Sequence, residues 1–297
     1  MADQVSADVN SSDGERPAGA DVVVAVREPI AEPIVTTRRE HPPFRFLIPI
    51  CLIFLVPLMH GTQVGEALML KGWVLVGLGG AVFSLLMIVS GIRLRAGQSD
   101  DALGLAAWSL LIAYLFHQFE EFGIDLYGNV NAFPAYMNGV VAERFPDSGV
   151  VLTELSTYRI NTLGIWVAFL LAIWAGHRLP WMGLAAAGVM LTNAGIHIGL
   201  AFSMGEYNPG LATALLLFLP LSLRYFIVSR HKTEAGWSAA LLGILFGIAV
   251  HLSLASFVVA LNEPHWTPVT AGLLAGLISL PIMANLIARL VSSRRGS

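Results

Sequence analysis

An all-α fold, a polytopic transmembrane helical bundle of about eight spans, is what this sequence predicts, and three observations predict it. Hydrophobic residues fill 56% of the 297 positions and charged residues only 12%, where a soluble domain carries about 25% charged. Mean hydropathy is +0.70, and the apolar residues gather into runs of about 18 or more, long enough for a helix to cross a bilayer. Between those runs, Lys and Arg are dense in every second connection and sparse in the others.

The same composition narrows the function. The net charge is −3, with 8 of the 20 acidic residues in the first 40 positions. No basic stripe suggests a nucleic-acid partner. The single cysteine, Cys51, lies in an apolar run. It can form no intrachain disulfide and offers no Cys-based metal motif.

Taken in order, residues 1–43 are polar and aperiodic and read as a disordered tail. No apolar segment near Met1 suggests a cleavable signal peptide. A transmembrane domain is expected over 44–297, with spans near 44–60, 73–93, 102–122, 160–177, 181–203, 209–228, 237–260 and 267–290. Pro49 and Pro57 interrupt the first. Pro220 and Pro281 are expected to kink the sixth and eighth, which neighbouring helices tolerate. Gly243 and Gly247, and Gly272 and Gly276, have the GxxxG spacing that permits close helix packing.

The basic residues set an orientation. Arg38, Arg39, Arg45, Arg93, Arg95, Arg178, Arg230, Lys232, Arg294 and Arg295 fall on one side, and only Lys71, Arg144 and Arg159 on the other. The positive-inside rule then predicts a multi-pass cell-membrane protein with both termini cytoplasmic.

Polar residues inside these spans are costly and mark candidate sites. The stretch 113–123, AYLFHQFEEFG, puts His117, Glu120 and Glu121 at helical spacings of three and four, on one face. An ionisable group at the membrane centre costs about 2.5–3.5 kcal/mol, less near the ends. Adjacent carboxylates also repel each other, and a helix C-terminus disfavours Glu. A cation relieves all three penalties. The fifth span carries Asn193 and His197, four apart, and the seventh carries His251. With the third, fifth and seventh spans running outward, His117 and His197 are each expected roughly 8–10 Å below the outer ends of their helices. They would share one layer near the outer face. His60 ends the first span on that side, where an interfacial role suffices. The long outer connection 123–159 is expected either to be a solvated loop or to carry a short amphipathic helix over 133–145, covering the site.

HQFEE at 117–121 and NAGIH at 193–197 resemble the HXXEE family of bacterial integral membrane proteins, which also carries an N-x-x-x-H motif. Tyr207-Asn208-Pro209-Gly210 and Thr213 look like its next segment, so the likeness covers roughly 50–230. The resemblance implies site residues but no reaction.

Chemically, His nitrogens and carboxylate oxygens suit zinc, iron or manganese. The foremost expectation is a metal-dependent hydrolase acting on a lipid or amphipathic substrate at the outer leaflet. His117, His197 and one of Glu120 or Glu121 would be ligands, and His251 a further one. The metal would bring the pKa of a bound water to about 7. The other Glu would be general base, and Asn193 would orient a ligand or donate to an oxyanion. A proton-coupled transporter using the same cluster is the alternative, although carrier sites usually lie at the midplane. A haem electron carrier with His197 and His251 as axial ligands is the third reading, and it leaves both Glu residues without a role.

Overall fold

The computed structural model describes residues 51–94, 102–175, 180–231, 236–262, 279–288 and 290, all helices and connections. In chain order they form α1 (51–61), α2 (Gln63–Leu94), α3 (Ala102–Phe122), α4 (Ala132–Arg144), α5 (154–175), α6 (Pro180–Met204), α7 (Leu211–Ser229), α8 (Trp237–Asn262) and α9 (Ser279–Ala288). Six of them, α2, α3, α5, α6, α7 and α8, contain segments long and apolar enough to cross a membrane. The predicted all-α polytopic bundle is therefore what the described residues form. The first and eighth predicted spans lie partly outside the described residues. The 1–43 tail, the 272–276 glycine pair and most of the basic residues used for orientation lie wholly outside them.

Two helices start earlier than hydropathy indicates, because capping sets their starts. The Thr62 hydroxyl accepts the Gly65 N–H at 3.0 Å, so α2 begins ten residues before the predicted span. At α5, Thr153 accepts from the Ser156 N–H and Ser156 accepts from the Thr153 N–H, a reciprocal box that starts the helix at Glu154 rather than 160. Arg159 on α5 reaches Glu66 on α2 at 3.1 Å and ties the two extensions together.

Three π-helical turns have local causes. Those at Cys51–Leu55 and Ala214–Phe218 directly precede the segments carrying Pro57 and Pro220. Each proline removes a ladder donor and crowds the preceding turn, and a wider turn relieves this. The third, Ile160–Trp166, contains two side chains that bond back into the ladder: Asn161 Nδ2 donates to the Thr157 carbonyl and the Thr162 hydroxyl to that of Tyr158.

Helix α3 is the central element. Its span is 61% buried, against 17% for α2 and 22% for α8. It packs on α2, α5, α6 and α7, with Leu110, Ala113 and Tyr114 in the main core. The outer helices turn Leu75, Phe83, Leu86 and Leu245 outward, as lipid-facing sides do. The α6–α8 crossing brings backbones together: a Cβ on Gly188 would lie 1.7 Å from the Gly243 carbonyl oxygen, and one on Gly247 2.2 Å from that of Gly188. The Gly243–Gly247 spacing thus lies at a helix crossing. The C-terminal ends of α3 and α6 meet the N-terminal end of α7, and this junction holds the polar residues that the sequence singled out.

Candidate metal centre

Helix α3 delivers three ionisable side chains at its C-terminal end, and they divide into two groups. His117 and Glu121 are four apart, and Glu121 Oε1 lies 3.3 Å from His117 Nε2. Glu120 is rotated about 100° from Glu121 and faces the start of α7 instead. There its Oε1 accepts from the Ala212 N–H (3.0 Å) and the Tyr207 hydroxyl (2.8 Å). Its Oε2 accepts from the Thr213 N–H (2.7 Å) and the Thr213 hydroxyl (2.5 Å). Glu120 is thus an anion at a helix N-terminus, taking up donors that α7 cannot pair internally.

Helix α6 supplies His197, which completes the first group. Its Nε2 is 3.3 Å from the same Glu121 Oε1. The two imidazoles meet edge to face, with centroids 4.9 Å apart. One ligand atom each from His117, Glu121 and His197 lies within 4.8 Å of the others, and all three residues are buried.

The hydrogen bonds on the far side of each imidazole fix its proton. The Thr213 hydroxyl donates to the Glu120 carboxylate, so its oxygen is the acceptor for His117 Nδ1 at 2.8 Å. Asn208 Nδ2 donates to the His197 carbonyl at 2.9 Å, so Asn208 Oδ1 is the acceptor for His197 Nδ1 at 2.5 Å. Both rings carry their hydrogen on Nδ1. In their neutral forms, both present an Nε2 lone pair to Glu121 Oε1. Three acceptors then converge, which is repulsive unless a cation or proton lies among them. His117 Nε2 has no hydrogen-bond partner: Glu121 is near but not in hydrogen-bond geometry.

The 205–210 turn seals the group. Gly210 has φ +98°, and a Cβ there would come within 2.7 Å of His197 Cε1 and 2.8 Å of His117 Cε1. Only glycine both adopts this backbone and leaves room for the two rings. Phe218 covers His117 with centroids 4.1 Å apart, and Phe133, at the start of α4, lies 5.8 Å from His197. The helix expected over 133–145 is α4, and its first turn rests against the group.

A short loop backs this cover. Asp125 accepts from the N–H groups of Tyr127 and Asn129 and from the Asn129 side chain. Burial works to raise its carboxyl, but these hydrogen bonds outweigh that and hold it below the ordinary carboxylate range. The Leu126 N–H meets the Tyr207 oxygen at 3.2 Å. Burial pushes the Tyr207 phenol well above its ordinary value, and the Glu120 carboxylate pushes the same way. Tyr207 therefore stays protonated and donates to Glu120.

The remaining predicted site residues stand apart. His251 Nδ1 bonds the Gly247 carbonyl of its own helix at 2.8 Å, and His251 is not in the convergent group. Asn193, one turn before His197, has a buried Oδ1 with no hydrogen-bond partner. His60 stacks on Tyr158 at 4.7 Å and pairs with Thr162 at 3.0 Å. Glu120, expected as ligand or base, has both oxygens engaged by α7 and Tyr207 and does not face the two imidazoles' Nε2 atoms.

Other contributors carried little signal. Asn208, Gly210 and Thr213 were visible only as part of a motif, because their partners lie on other helices. Gln118 lies within HQFEE at 117–121 and is buried. It joins Asn161 (2.8 Å) and Trp166 (2.6 Å), and Tyr114 also donates to Asn161 (3.0 Å). This buried network fixes α3 on α5.

Comparison with known families agrees with these positions. Residues 108–225 match the family described as protein of unknown function with HXXEE motif. Over that segment the chain is similar to this family. There the motif's His117 and Glu121 join the buried group, while its Glu120 holds α7. No curated protein and no solved structure matches the chain.

Proposed function

We propose that His117, Glu121 and His197 hold one divalent metal ion, and that the protein is a membrane-embedded metal-dependent hydrolase. The observation that carries this reading is the convergence of two imidazole Nε2 atoms on one carboxylate oxygen, with each Nδ1 proton committed elsewhere. Two histidines and a carboxylate with a position left for water is the ligand set of catalytic zinc sites, and iron or manganese accepts the same donors. Such an ion would act as a Lewis acid and activate water.

The chain's own residues then have defined roles. Thr213 and Asn208 orient the two imidazoles. Gly210, Phe218 and Phe133 keep bulk water from the group. The distribution of Lys and Arg supports cytoplasmic termini and a centre near the outer face, so the substrate would be a lipid or another amphipathic ester or amide. The haem reading is less compatible, because α6 and α8 press backbone to backbone at Gly188, Gly243 and Gly247. Proton-coupled transport keeps one supporting observation: a shared proton would also relieve the three converging acceptors.

Detergent-purified protein loaded with zinc, iron or manganese should hydrolyse amphipathic ester or amide reporters. That turnover should be lost on chelation, regained on re-addition of metal, and absent in Glu121→Ala. Metal-loaded protein inactive on every such reporter would sink the hydrolase assignment.

A further inference from the structure

We infer that Glu120 and Thr213 are positioning residues: they form a carboxylate–hydroxyl–imidazole chain that presents His117 Nε2 to the metal. The inference rests on the metal reading above and gives the second motif glutamate a role other than ligand or base.

A carboxylate has about four lone-pair sites, and Glu120 already accepts four hydrogen bonds, from Ala212, Tyr207 and the amide and hydroxyl of Thr213. It has no free site to offer an ion. Its effect on the centre passes through the Thr213 hydroxyl. That hydroxyl has one hydrogen, and two acceptors lie within reach: Glu120 Oε2 at 2.5 Å and the Gly210 carbonyl at 3.2 Å. The shorter, charge-assisted bond takes the hydrogen. The Thr213 oxygen must then receive the His117 Nδ1 hydrogen, and the Nε2 lone pair is left facing Glu121 and His197.

The position of Glu120 also explains why two glutamates stand side by side. At i+4 from His117, Glu121 joins the group. At i+3, Glu120 fastens the α7 N-terminus, which brings the Thr213 hydroxyl back onto the opposite edge of the same ring. One helix turn therefore supplies both a direct neighbour of His117 Nε2 and the anchor for its Nδ1.

Partners that orient a metal-bound histidine typically change metal affinity 10–100-fold when removed. Zinc, ferrous iron and manganese binding would be titrated on the full chain in detergent, for wild type and for Thr213→Val, Thr213→Ser, Glu120→Gln and His117→Ala. Thr213→Val keeps the shape of the side chain and removes the hydroxyl. It should weaken binding about 10–100-fold while still saturating at one ion per chain. Thr213→Ser should restore near wild-type affinity, which a role in packing alone would not explain. Glu120→Gln should weaken binding in the same direction, and His117→Ala should abolish it. Wild-type affinity in Thr213→Val, with binding lost in His117→Ala, would overturn the positioning role and leave the metal reading intact. A wild type that binds none of the three ions would overturn both.

Discussion

Replacing Gly210 by alanine perturbs the centre without replacing any proposed ligand. The added methyl carbon would lie 2.7 Å from His197 Cε1, 2.8 Å from His117 Cε1 and 3.0 Å from Glu121 Cγ. None of these neighbours can retreat easily, since Asn208 and Thr213 hold the two rings from behind. Two costs add. A side chain in the left-handed region costs about 1–2 kcal/mol, and overpacking a tight interior costs about 1–3 kcal/mol. Gly205 separates them, because it too is left-handed, at φ +70°, but has nothing within 4 Å of its Cβ position. Gly205→Ala should therefore lose only about 1–2 kcal/mol of stability and keep wild-type metal affinity. Gly210→Ala should lose about 2–5 kcal/mol in total, and its metal affinity should fall at least tenfold as the rings are pushed apart. Stability would be read by denaturant titration in mixed micelles, and affinity by zinc titration. If the two variants behave alike in both assays, the turn does not pack on the centre as described and the reasoning fails.

Three further outcomes follow from other parts of the structure. Gln118→Leu leaves the Trp166 indole N–H and the Asn161 amide short of partners, so it should cost about 1–3 kcal/mol with metal content unchanged; lost metal would show that this network supports the centre. Phe133→Ala removes the ring over His197, so a chelator should strip the metal severalfold faster, and an unchanged rate would place the access route elsewhere. The depressed Asp125 carboxyl makes the 123–131 loop pH-sensitive in one direction. Its contribution is full above the unfolded Asp value of about 4 and is lost as pH falls through the lower folded value. Amide protection at Tyr127 and Asn129 should drop over that acidic range in wild type, and Asp125→Asn should show no such drop.

The helical class and the site-bearing helices were legible because both rest on local pattern. Apolar runs report spans, and costly polar residues within them stand out, which is how His117, Glu120, Glu121, Asn193, His197 and His251 come forward together. What pattern could not resolve depends on partners far along the chain. Spacing alone puts both Glu120 and Glu121 on the face of His117. They are told apart by the α7 N-terminus, 92 and 93 residues away, which claims Glu120. His251 looked like a ligand because an imidazole in a span is costly, but the Gly247 carbonyl one turn back satisfies its Nδ1. The early starts of α2 and α5 were hidden for a related reason: Thr62, Thr153 and Ser156 fix them by capping, and hydropathy does not register caps. Gln118 sits inside the motif, yet its partners Asn161 and Trp166 are more than 40 residues away.

The most direct test of the central claim is the metal content of detergent-purified wild type, His117→Ala and His197→Ala by elemental analysis. Close to one zinc, iron or manganese per wild-type chain is expected and almost none in either variant, with all three proteins folded. Wild type with no metal above the detergent blank, including after incubation with each ion, would contradict it, and Glu121 would then be a carboxylate that shares a proton with His117 and His197.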